Sequence, residues 1–365
     1  MPKARKEIES IPDYVPGKSI DEIREKYGLL QVTKLASNEN PFGASPAAMA
    51  AYKKCAAKLH LYPRGSAPEL VKKLALKWKV REENLIIGNG SDEILDLAAR
   101  VYLNRGDYAA GAGSTFSLYS SATKIAGANY KAFPLENFYY PLESLAGFKK
   151  AGIIFICNPN NPTGTCYSGR VILDFLKRVS RNTLVVLDMA YAEFTGEKEP
   201  PLHKWIKMFP NLLCTRTFSK LYGLAGLRIG YGISSKEIIG TLKKAKPPFN
   251  VNYPAQMAAL AALDDTRFVE KSLKVNSDER KKLAQNLQGL GFKVLPSGAN
   301  FVCAKIGRQA REFVVWLESR GMVIRHLGSF AMPEWVRITV GTPEQNGVFL
   351  NLACEFKKYH ETPSR

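Results

Sequence analysis

The sequence predicts an α/β protein with a large domain, in which helices sandwich a mostly parallel sheet, and a smaller α/β domain at the C-terminal end. From "NLIIGNGSDEILDLAARVYL" onward, short apolar runs rich in β-branched residues alternate with helical patterns. This alternation is typical of repeated β–α–β units around a buried parallel sheet. The length of 365 residues also exceeds the ~250–300 residues at which a single hydrophobic core stops growing.

The elements follow in order along the chain. Residues 1–35 are charged and interrupted by prolines, which predicts an N-terminal arm, and Ser45-Pro46 opens a helix as a cap followed by proline. The runs "GIIFICNP", "TLVVLD", "NLLCTRTFS" and "RIGYGI" predict strands, and "GRVILDFLKRVS" predicts a helix between two of them. After a helical stretch near residues 265–291, the strand-like "GFKVLPSGANFVCAKI" and "WVRITVG" indicate a second unit. We therefore predict a large domain over 36–265 and a small domain over 266–365.

Composition excludes several classes of function. The net charge of +19, from 52 basic and 33 acidic residues, is spread along amphipathic segments without a basic tail, so we expect no nucleic-acid partner. The apolar runs fall short of the ~20 residues that a membrane span needs. The charged N-terminus lacks the apolar core of a secretory signal, which predicts a cytoplasmic protein. Six scattered cysteines without a C-x-x-C pair, and only four histidines, predict neither a metal site nor a disulfide framework.

Nucleotide-binding and hydrolase motifs are incomplete. "PGKS" lacks the first glycine of a P-loop and a preceding strand. "GNGSDE" and "GAGSTF" begin like dinucleotide fingerprints but place Glu93 and Phe116 where the third glycine belongs. The sequence also lacks the G-x-S-x-G turn of a serine hydrolase.

Polar residues that carry chemistry follow several of the predicted strands. The helix that opens with Ser91 and Asp92 presents unpaired N–H groups that favour an anion, although a plain capped turn explains the same letters. "NPNNPTGT" follows a buried strand with Asn161 in it, and could equally be a proline-rich loop. Asp188 ends an apolar strand, with Tyr191 three residues on; burying an acid there requires a cation, which a structural arginine would also provide.

One ligand accounts for these segments together with "TFSKLYGLAGLRIGYG". It needs a phosphate for the helix N-terminus and Arg228, a cationic ring nitrogen for Asp188, a hydrogen-bonding oxygen for Asn161 and Tyr191, and an electrophilic carbon for the Lys220 amine. Pyridoxal 5′-phosphate has all four features. Lys220 then has to lose its proton near neutral pH, and we expect burial and the charge of Arg228 to lower its pKa.

The ordered set "GNGSDE", "NPNNPTG", "DMAY", "TFSK" and "GLRIGY" resembles the fold type I aminotransferases over nearly the whole chain. "DYVPGKSIDEIREKYGL", "KLASNENPFG", "LYPRG" and "LPSGANFV" narrow the resemblance to the histidinol-phosphate aminotransferase family. The resemblance implies a pyridoxal-phosphate enzyme that works as a homodimer with shared active sites.

The resemblance also implies a role for each matching residue. Lys220 is the Schiff-base lysine and moves the proton, Asp188 keeps the ring nitrogen protonated, and Tyr191 binds the ring hydroxyl oxygen with Asn161. Tyr119 stacks on the ring. The residues that contact the cofactor phosphate are Ser91, Asp92, Thr217, Ser219, Arg228 and Tyr62. Tyr62 comes from the second subunit.

The substrates implied are L-histidinol phosphate, a phosphorylated amino alcohol, and the pair glutamate and 2-oxoglutarate. Arg337 in "RITVGT" matches the carboxylate-binding position of the fold, and Arg325 and Tyr14 match positions that contact substrate phosphate. Exposed surface charge is the alternative for both arginines. Two related activities remain open, an aromatic amino acid aminotransferase and a threonine-phosphate decarboxylase. A cofactor-sensing regulator would require a DNA-binding module, for which the stretch before "KLASNENP" is too short.

Overall fold

A computed structural model describes residues 2–11, 13 and 17–361. Among these residues, the helices are, in chain order, α1 (Lys6–Glu9), α2 (Ile20–Tyr27), α3 (Pro46–Lys54), α4 (Pro68–Trp78), α5 (Gly90–Tyr102), α6 (Leu118–Ile125), α7 (Leu142–Gly147), α8 (Gly169–Arg178), α9 (Leu202–Met208), α10 (Lys236–Ala245), α11 (Tyr253–Ala262), α12 (Thr266–Gly289), α13 (Ala310–Glu318) and α14 (Pro343–Glu361). The strands are β1 (Thr33–Lys34), β2 (Leu85–Gly88), β3 (Tyr108–Ala112), β4 (Asn129–Phe133), β5 (Ala151–Cys157), β6 (Leu184–Asp188), β7 (Leu212–Thr217), β8 (Gly230–Ile233), β9 (Lys293–Val294), β10 (Phe301–Lys305), β11 (Met322–Val323), β12 (Arg325–His326) and β13 (Trp335–Thr339).

The large sheet of the described chain has seven strands in the order β2-β8-β7-β6-β5-β3-β4. Strands β3 to β7 pair in parallel, which confirms the mostly parallel sheet, whereas β8 runs antiparallel to both β2 and β7. A parallel pairing needs a crossover connection, usually a helix. The segment between β7 and β8 holds only the short 3-10 turn Ala225–Leu227, so the chain reverses there.

Strand direction gathers the chemistry-bearing loops at one edge of this sheet. Because β2 and β7 are both antiparallel to β8, β2 runs in the same direction as β5, β6 and β7. Cys157 is in register with Asp188, and Asp188 with Thr215, so three neighbouring strands end side by side. The loops after β2, β5, β6 and β7 therefore meet at this edge, which is where open α/β sheets bind ligands.

A second, smaller sheet of the described residues is antiparallel throughout, in the order β12-β13-β10-β9. Its core packs Leu283 and Leu287 of α12 with Phe313 of α13 and Phe349 of α14. The start of α12 packs on the core of the large sheet instead, through Val269 and Leu273. This 24-residue helix thus joins the two cores.

The end of the N-terminal segment belongs to the smaller core. Strand β1 pairs in parallel with β11, and Leu35 is buried among the residues of the small sheet. The predicted cap at Ser45 is confirmed, since its hydroxyl accepts a hydrogen bond from the Ala48 N–H at 3.3 Å.

The sequence predicts neither a membrane span nor a metal site, and the structure bears on both only for the described residues. Within these ranges, no helix combines the length and the apolar character that a membrane span requires. The described part of the chain also contains no cluster of three or more histidine, cysteine or acidic side chains suited to a metal ion. All six cysteines are free thiols.

Candidate functional site

A cavity of about 980 Å³, its open mouth included, lies where the carboxyl ends of the large-sheet strands meet the small sheet. It is lined by eleven of the residues that the sequence singled out: Ser91, Asp92, Asn161, Asp188, Tyr191, Thr217, Ser219, Lys220, Arg228, Arg325 and Arg337. Segments separated by more than two hundred residues along the chain therefore converge on one concave site.

Lys220 follows β7 and points its amine into this cavity. Its Nζ donates to the Ser37 carbonyl at 3.2 Å and lies 5.8 Å from the centre of the Tyr191 ring. Burial, followed by the charge of Arg337, lowers the pKa of Lys220 from 10.5 to about 8. The expected contribution of Arg228 is present but smaller than that of Arg337. An amine in this setting is neutral far more often than an exposed lysine.

Asp188 is buried at the end of β6, beneath the cavity. The Tyr119 hydroxyl donates to its Oδ2 at 2.7 Å, while the Ala190 N–H and the Thr215 hydroxyl donate to its Oδ1 at 3.1 and 3.2 Å. Burial raises the pKa of Asp188 to about 6 despite these hydrogen bonds. These three donors are neutral groups, so a cationic ligand in the cavity would stabilise the ionised carboxylate.

Asn161 and Tyr191 stand on the side of the cavity that faces the small sheet. The Tyr191 hydroxyl accepts a hydrogen bond from Asn38 Nδ2 at 3.0 Å, and its ring meets Phe301 edge-on. Asn161 Oδ1 accepts from Arg337 Nη1. Asn38 was not assigned a role from the sequence, although it lies within "KLASNENPFG"; its buried side chain and its positive φ of 54° are the signs that its position is constrained.

An anion cradle lies between the start of α5 and Arg228. Arg228 Nη2 donates to Asp92 Oδ2 at 2.9 Å, and Arg228 Nη1 donates to Ser219 Oγ at 3.4 Å. A Cβ at Gly230 would lie 2.4 Å from the Ser91 N, and one at Gly90 would lie 2.6 Å from Arg228 Nη2. Only glycine at both positions leaves the backbone N–H groups and the guanidinium accessible to a phosphate, so this end of the cavity fits the phosphate of the implied cofactor.

Two arginines of the small sheet line the opposite wall. Arg325 on β12 and Arg337 on β13 are in direct register across an antiparallel pair. Like charges in such positions destabilise a sheet, which favours a role in binding anions. Arg337 is buried and its Nη2 also donates to the Ala36 carbonyl at 2.6 Å, whereas Arg325 is half-buried.

The structure does not place Tyr119 where ring stacking on a ligand would require it. The Tyr119 ring is fully buried behind Asp188 and stacks on Phe155, with ring centroids 5.0 Å apart. Phe116, three residues earlier, lines the cavity instead. Phe116 precedes α6, whereas Tyr119 lies in the first turn of that helix and faces the sheet, which is why one ring reaches the cavity and the other does not.

Tyr62 is not among the residues that line the cavity. Tyr62 is 84% exposed and stacks on Phe249 with a centroid distance of 4.8 Å. A contact of Tyr62 with a phosphate therefore requires a second subunit and stays a prediction. Tyr14 lies outside the described residues.

Comparisons with known proteins identify the family. A sequence model for aminotransferase class I and II matches residues 31–351. The chain is 43% identical to the histidinol-phosphate aminotransferase of Moorella thermoacetica, covering 97% of this chain and 93% of that protein. The crystal structure of histidinol-phosphate aminotransferase from Sinorhizobium meliloti in complex with pyridoxal-5′-phosphate matches with a TM-score of 0.90 at 25% identity over 99% of both chains.

The comparisons also include one of the alternative activities. The crystal structure of L-threonine-O-3-phosphate decarboxylase from Porphyromonas gingivalis matches with a TM-score of 0.79 at 25% identity, over 90% of this chain and all of that one. Its identity and its coverage of this chain are both lower than those of the Moorella thermoacetica aminotransferase. The chain thus belongs to the aminotransferase class I and II family and, within it, to the histidinol-phosphate aminotransferases.

Proposed function

We propose that this chain transfers an amino group between L-histidinol phosphate and 2-oxoglutarate, with pyridoxal 5′-phosphate as the carrier, in histidine biosynthesis. The products are imidazole acetol phosphate and glutamate. One observation carries the proposal: a lysine with a lowered pKa, a buried carboxylate and two anion-binding arginines line a single cavity. Bound pyridoxal 5′-phosphate supplies an electron-withdrawing ring that stabilises negative charge on the substrate carbon beside the amine.

The residues of the large domain hold the cofactor. The backbone N–H groups of Ser91 and Asp92 and the guanidinium of Arg228 bind the phosphate in the glycine-lined cradle, and the hydroxyls of Thr217 and Ser219 complete its contacts. The Asp188 carboxylate would accept a hydrogen bond from the protonated ring nitrogen, and Tyr191 and Asn161 would bind the ring hydroxyl oxygen. We propose Phe116, in place of Tyr119, as the aromatic contact for the ring.

Lys220 moves the proton. In its neutral form, Nζ would accept the proton removed from the substrate carbon and hold it for return, and the low pKa of Lys220 makes this form accessible near neutral pH. Arg337 binds the substrate carboxylate of glutamate or 2-oxoglutarate through a paired hydrogen bond. Arg325, together with Tyr14, binds the phosphate of histidinol phosphate at the cavity mouth.

The assembly that we propose is a homodimer with shared sites. Tyr62 and its neighbours Leu59 and Leu61, which are 84%, 64% and 57% exposed, form an apolar surface that a second subunit would cover. Tyr62 of one subunit would then reach the cofactor phosphate of the other. We further propose that the protein works in the cytoplasm, where a reducing environment would maintain its six free thiols.

We propose that residues 36–265 form the cofactor-binding domain and 266–365 the small domain, with 1–35 as an arm. The two hydrophobic cores support this division, because α12 leaves one core and enters the other. Leu35 of the arm lies in the small core, and Phe301 of the small domain lies in the large core, so Phe301 crosses the junction between the two domains.

The function is tested by offering purified, cofactor-loaded protein three amino donors: L-histidinol phosphate, phenylalanine and threonine phosphate, each with 2-oxoglutarate. We expect glutamate to form with histidinol phosphate at least ~10-fold faster than with phenylalanine, because phenylalanine lacks the phosphate and a lost charge-assisted contact costs ~1.5–3 kcal/mol. Release of carbon dioxide from threonine phosphate would instead support the decarboxylase. Borohydride reduction followed by peptide mapping should label Lys220, and label on another lysine would contradict its proposed role.

Arg325→Gln separates phosphate from aromatic specificity. If Arg325 binds the substrate phosphate, this variant should lose ~10- to 150-fold in kcat/KM for histidinol phosphate but far less for glutamate. The matched control is Arg320→Gln, which removes an exposed arginine that stacks on Trp316 away from the cavity. Equal effects of the two substitutions would refute the phosphate assignment.

A further inference from the structure

The buried Tyr119 is held in a fixed orientation toward Asp188. Phe155 and Cys157 project from the same face of β5, because side chains alternate along a strand, and Cys157 is in register with Asp188. The Tyr119 ring lies nearly parallel to the Phe155 ring, with 9° between their planes, and Phe116 packs edge-on against it. This packing directs the Tyr119 hydroxyl to Asp188 Oδ2 at 2.7 Å from the core side, opposite the cavity.

We infer that Tyr119 is a positioning residue, whose hydroxyl orients the Asp188 carboxylate and keeps it ionised for a cationic ring nitrogen in the cavity. The inference rests on the proposed function, since it assigns Asp188 to that nitrogen. A tyrosine hydroxyl suits this role because its own pKa, raised by burial and by the Asp188 charge, keeps its proton in place throughout the working pH range.

The surroundings of Asp188 make this one hydrogen bond important. Burial is the largest influence and raises the pKa of Asp188, while the Tyr119 hydrogen bond is the largest opposing influence. Asp92 on α5 raises the pKa further, and the Ala190 N–H and the Thr215 hydroxyl lower it. The other titratable groups that interact with Asp188 are held neutral by pKa values raised through burial: Cys157, Tyr140 and Tyr191. Lys220, Arg228 and Arg337 line the same cavity but are not among the main influences on the pKa of Asp188, so Tyr119 is the main group opposing its protonation from the protein side.

Loss of the Tyr119 hydroxyl should change the pKa of the Lys220 nitrogen through the bound cofactor. Without this donor the carboxylate is more basic, and the proton between it and the ring nitrogen moves toward Asp188. The cofactor ring would then carry less positive charge and would withdraw less electron density from the carbon bonded to the Lys220 nitrogen. That nitrogen consequently keeps its proton to a higher pH, and the visible absorbance of the loaded protein reports the change.

The experiment compares cofactor-loaded parent protein with Tyr119→Phe, which keeps the ring and removes only the hydroxyl. The pH midpoint of the visible absorbance should rise by at least ~0.5 pH unit in Tyr119→Phe, because hydrogen bonds to charged groups are worth ~1.5–3 kcal/mol and one pH unit corresponds to ~1.4 kcal/mol. The dissociation constant for pyridoxal 5′-phosphate, measured by dialysis, should rise as well. The matched control is Tyr130→Phe, which removes a tyrosine hydroxyl that donates to the Ala112 carbonyl at 3.1 Å on the neighbouring strands.

A second variant guards against poor folding of the first. Thr215→Val removes the longer hydrogen bond to the other carboxylate oxygen, and should shift the midpoint in the same direction by a smaller amount. An unchanged midpoint in Tyr119→Phe, or equal shifts in Tyr119→Phe and Tyr130→Phe, would overturn the inference. If Tyr119→Phe cannot be purified, an unchanged pH midpoint in Thr215→Val would overturn the inference instead. A parent protein that takes up no pyridoxal 5′-phosphate would instead refute the proposed function.

Discussion

The pKa of Lys220 gives a measurable prediction about how the cofactor-free protein captures pyridoxal 5′-phosphate. Only the neutral amine attacks the aldehyde, so the capture rate should follow the neutral fraction of Lys220. With a pKa of about 8, about 24% of the amine is neutral at about pH 7.5, against about 0.1% for a pKa of 10.5. The cavity thus makes Lys220 about 240-fold more available than an exposed lysine.

Arg337→Gln tests the cause of this shift. Burial remains in the variant, but the second largest influence on the Lys220 pKa is removed, and the pKa should rise toward its ordinary value of 10.5. A rise of about one unit would lower the neutral fraction at about pH 7.5 by about eightfold. Glutamine retains a hydrogen-bond donor for Asn161, so the change acts mainly through charge.

The assay is stopped-flow absorbance after mixing cofactor-free protein with pyridoxal 5′-phosphate, from about pH 6.5 to about pH 10. For the parent, the rate should rise about tenfold per pH unit and level off above about pH 8. Nα-acetyl-lysine in solution provides the reference for an ordinary amine. Arg325→Gln is the matched control, because this cavity arginine is not among the main influences on the Lys220 pKa.

Two results would refute the reasoning. A parent rate that continues to rise to about pH 10 in parallel with the reference amine would mean that the cavity does not lower the Lys220 pKa. Identical midpoints for the parent and Arg337→Gln would mean that burial alone sets it.

Two further predictions concern stability and cofactor affinity. Gly230→Ala places a Cβ 2.4 Å from the Ser91 N, and its nearest neighbours are all backbone atoms. The free energy of unfolding should therefore fall by ~1–3 kcal/mol, and the dissociation constant for pyridoxal 5′-phosphate should rise. The control is Gly240→Ala on α10, which has nothing within 4 Å of its Cβ and should change neither quantity. Lys220→Met should stabilise the cofactor-free protein by on the order of 1–3 kcal/mol near neutral pH, because the pKa of Lys220 is lower in the folded than in the unfolded protein. The destabilisation that charged Lys220 causes in the parent is complete below about pH 8 and disappears as the pH rises through 10.5. Urea unfolding across this range measures it, and a less stable variant at neutral pH would contradict it.

Short motifs after strands made much of the site predictable from sequence. Parallel strands end at one edge of a sheet, so an acid at the end of one strand, a lysine after the next and a glycine turn before a helix had to lie close together. Asp188, Lys220 and Ser91 all line the cavity accordingly. These predictions depend on strand order and direction, which the alternation of helical and strand-like patterns already indicates.

The remaining features depend on distances that a pattern does not contain. Choosing between Phe116 and Tyr119 requires the start of α6 to within one residue, since a ring before the helix and a ring in its first turn face different ways. The influence of Arg337 on Lys220 depends on the small sheet docking against the large one. Arg228, which is close in sequence, is the weaker neighbour in space.

The cavity brings cationic side chains of the large and the small sheet together. Lys220 and Arg228 follow β7 of the large sheet, while Arg325 and Arg337 lie on the small sheet, and bringing them together raises electrostatic repulsion, which the ion pair between Arg228 and Asp92 offsets in part. Lys220 relieves part of it by losing its proton, which is the form that catalysis needs. The remaining positive charge is compensated when a phosphate enters the cradle at one end and a carboxylate or a second phosphate reaches the arginines at the other. The same positive charge therefore favours anionic substrates, such as histidinol phosphate with its phosphate and 2-oxoglutarate with its two carboxylates.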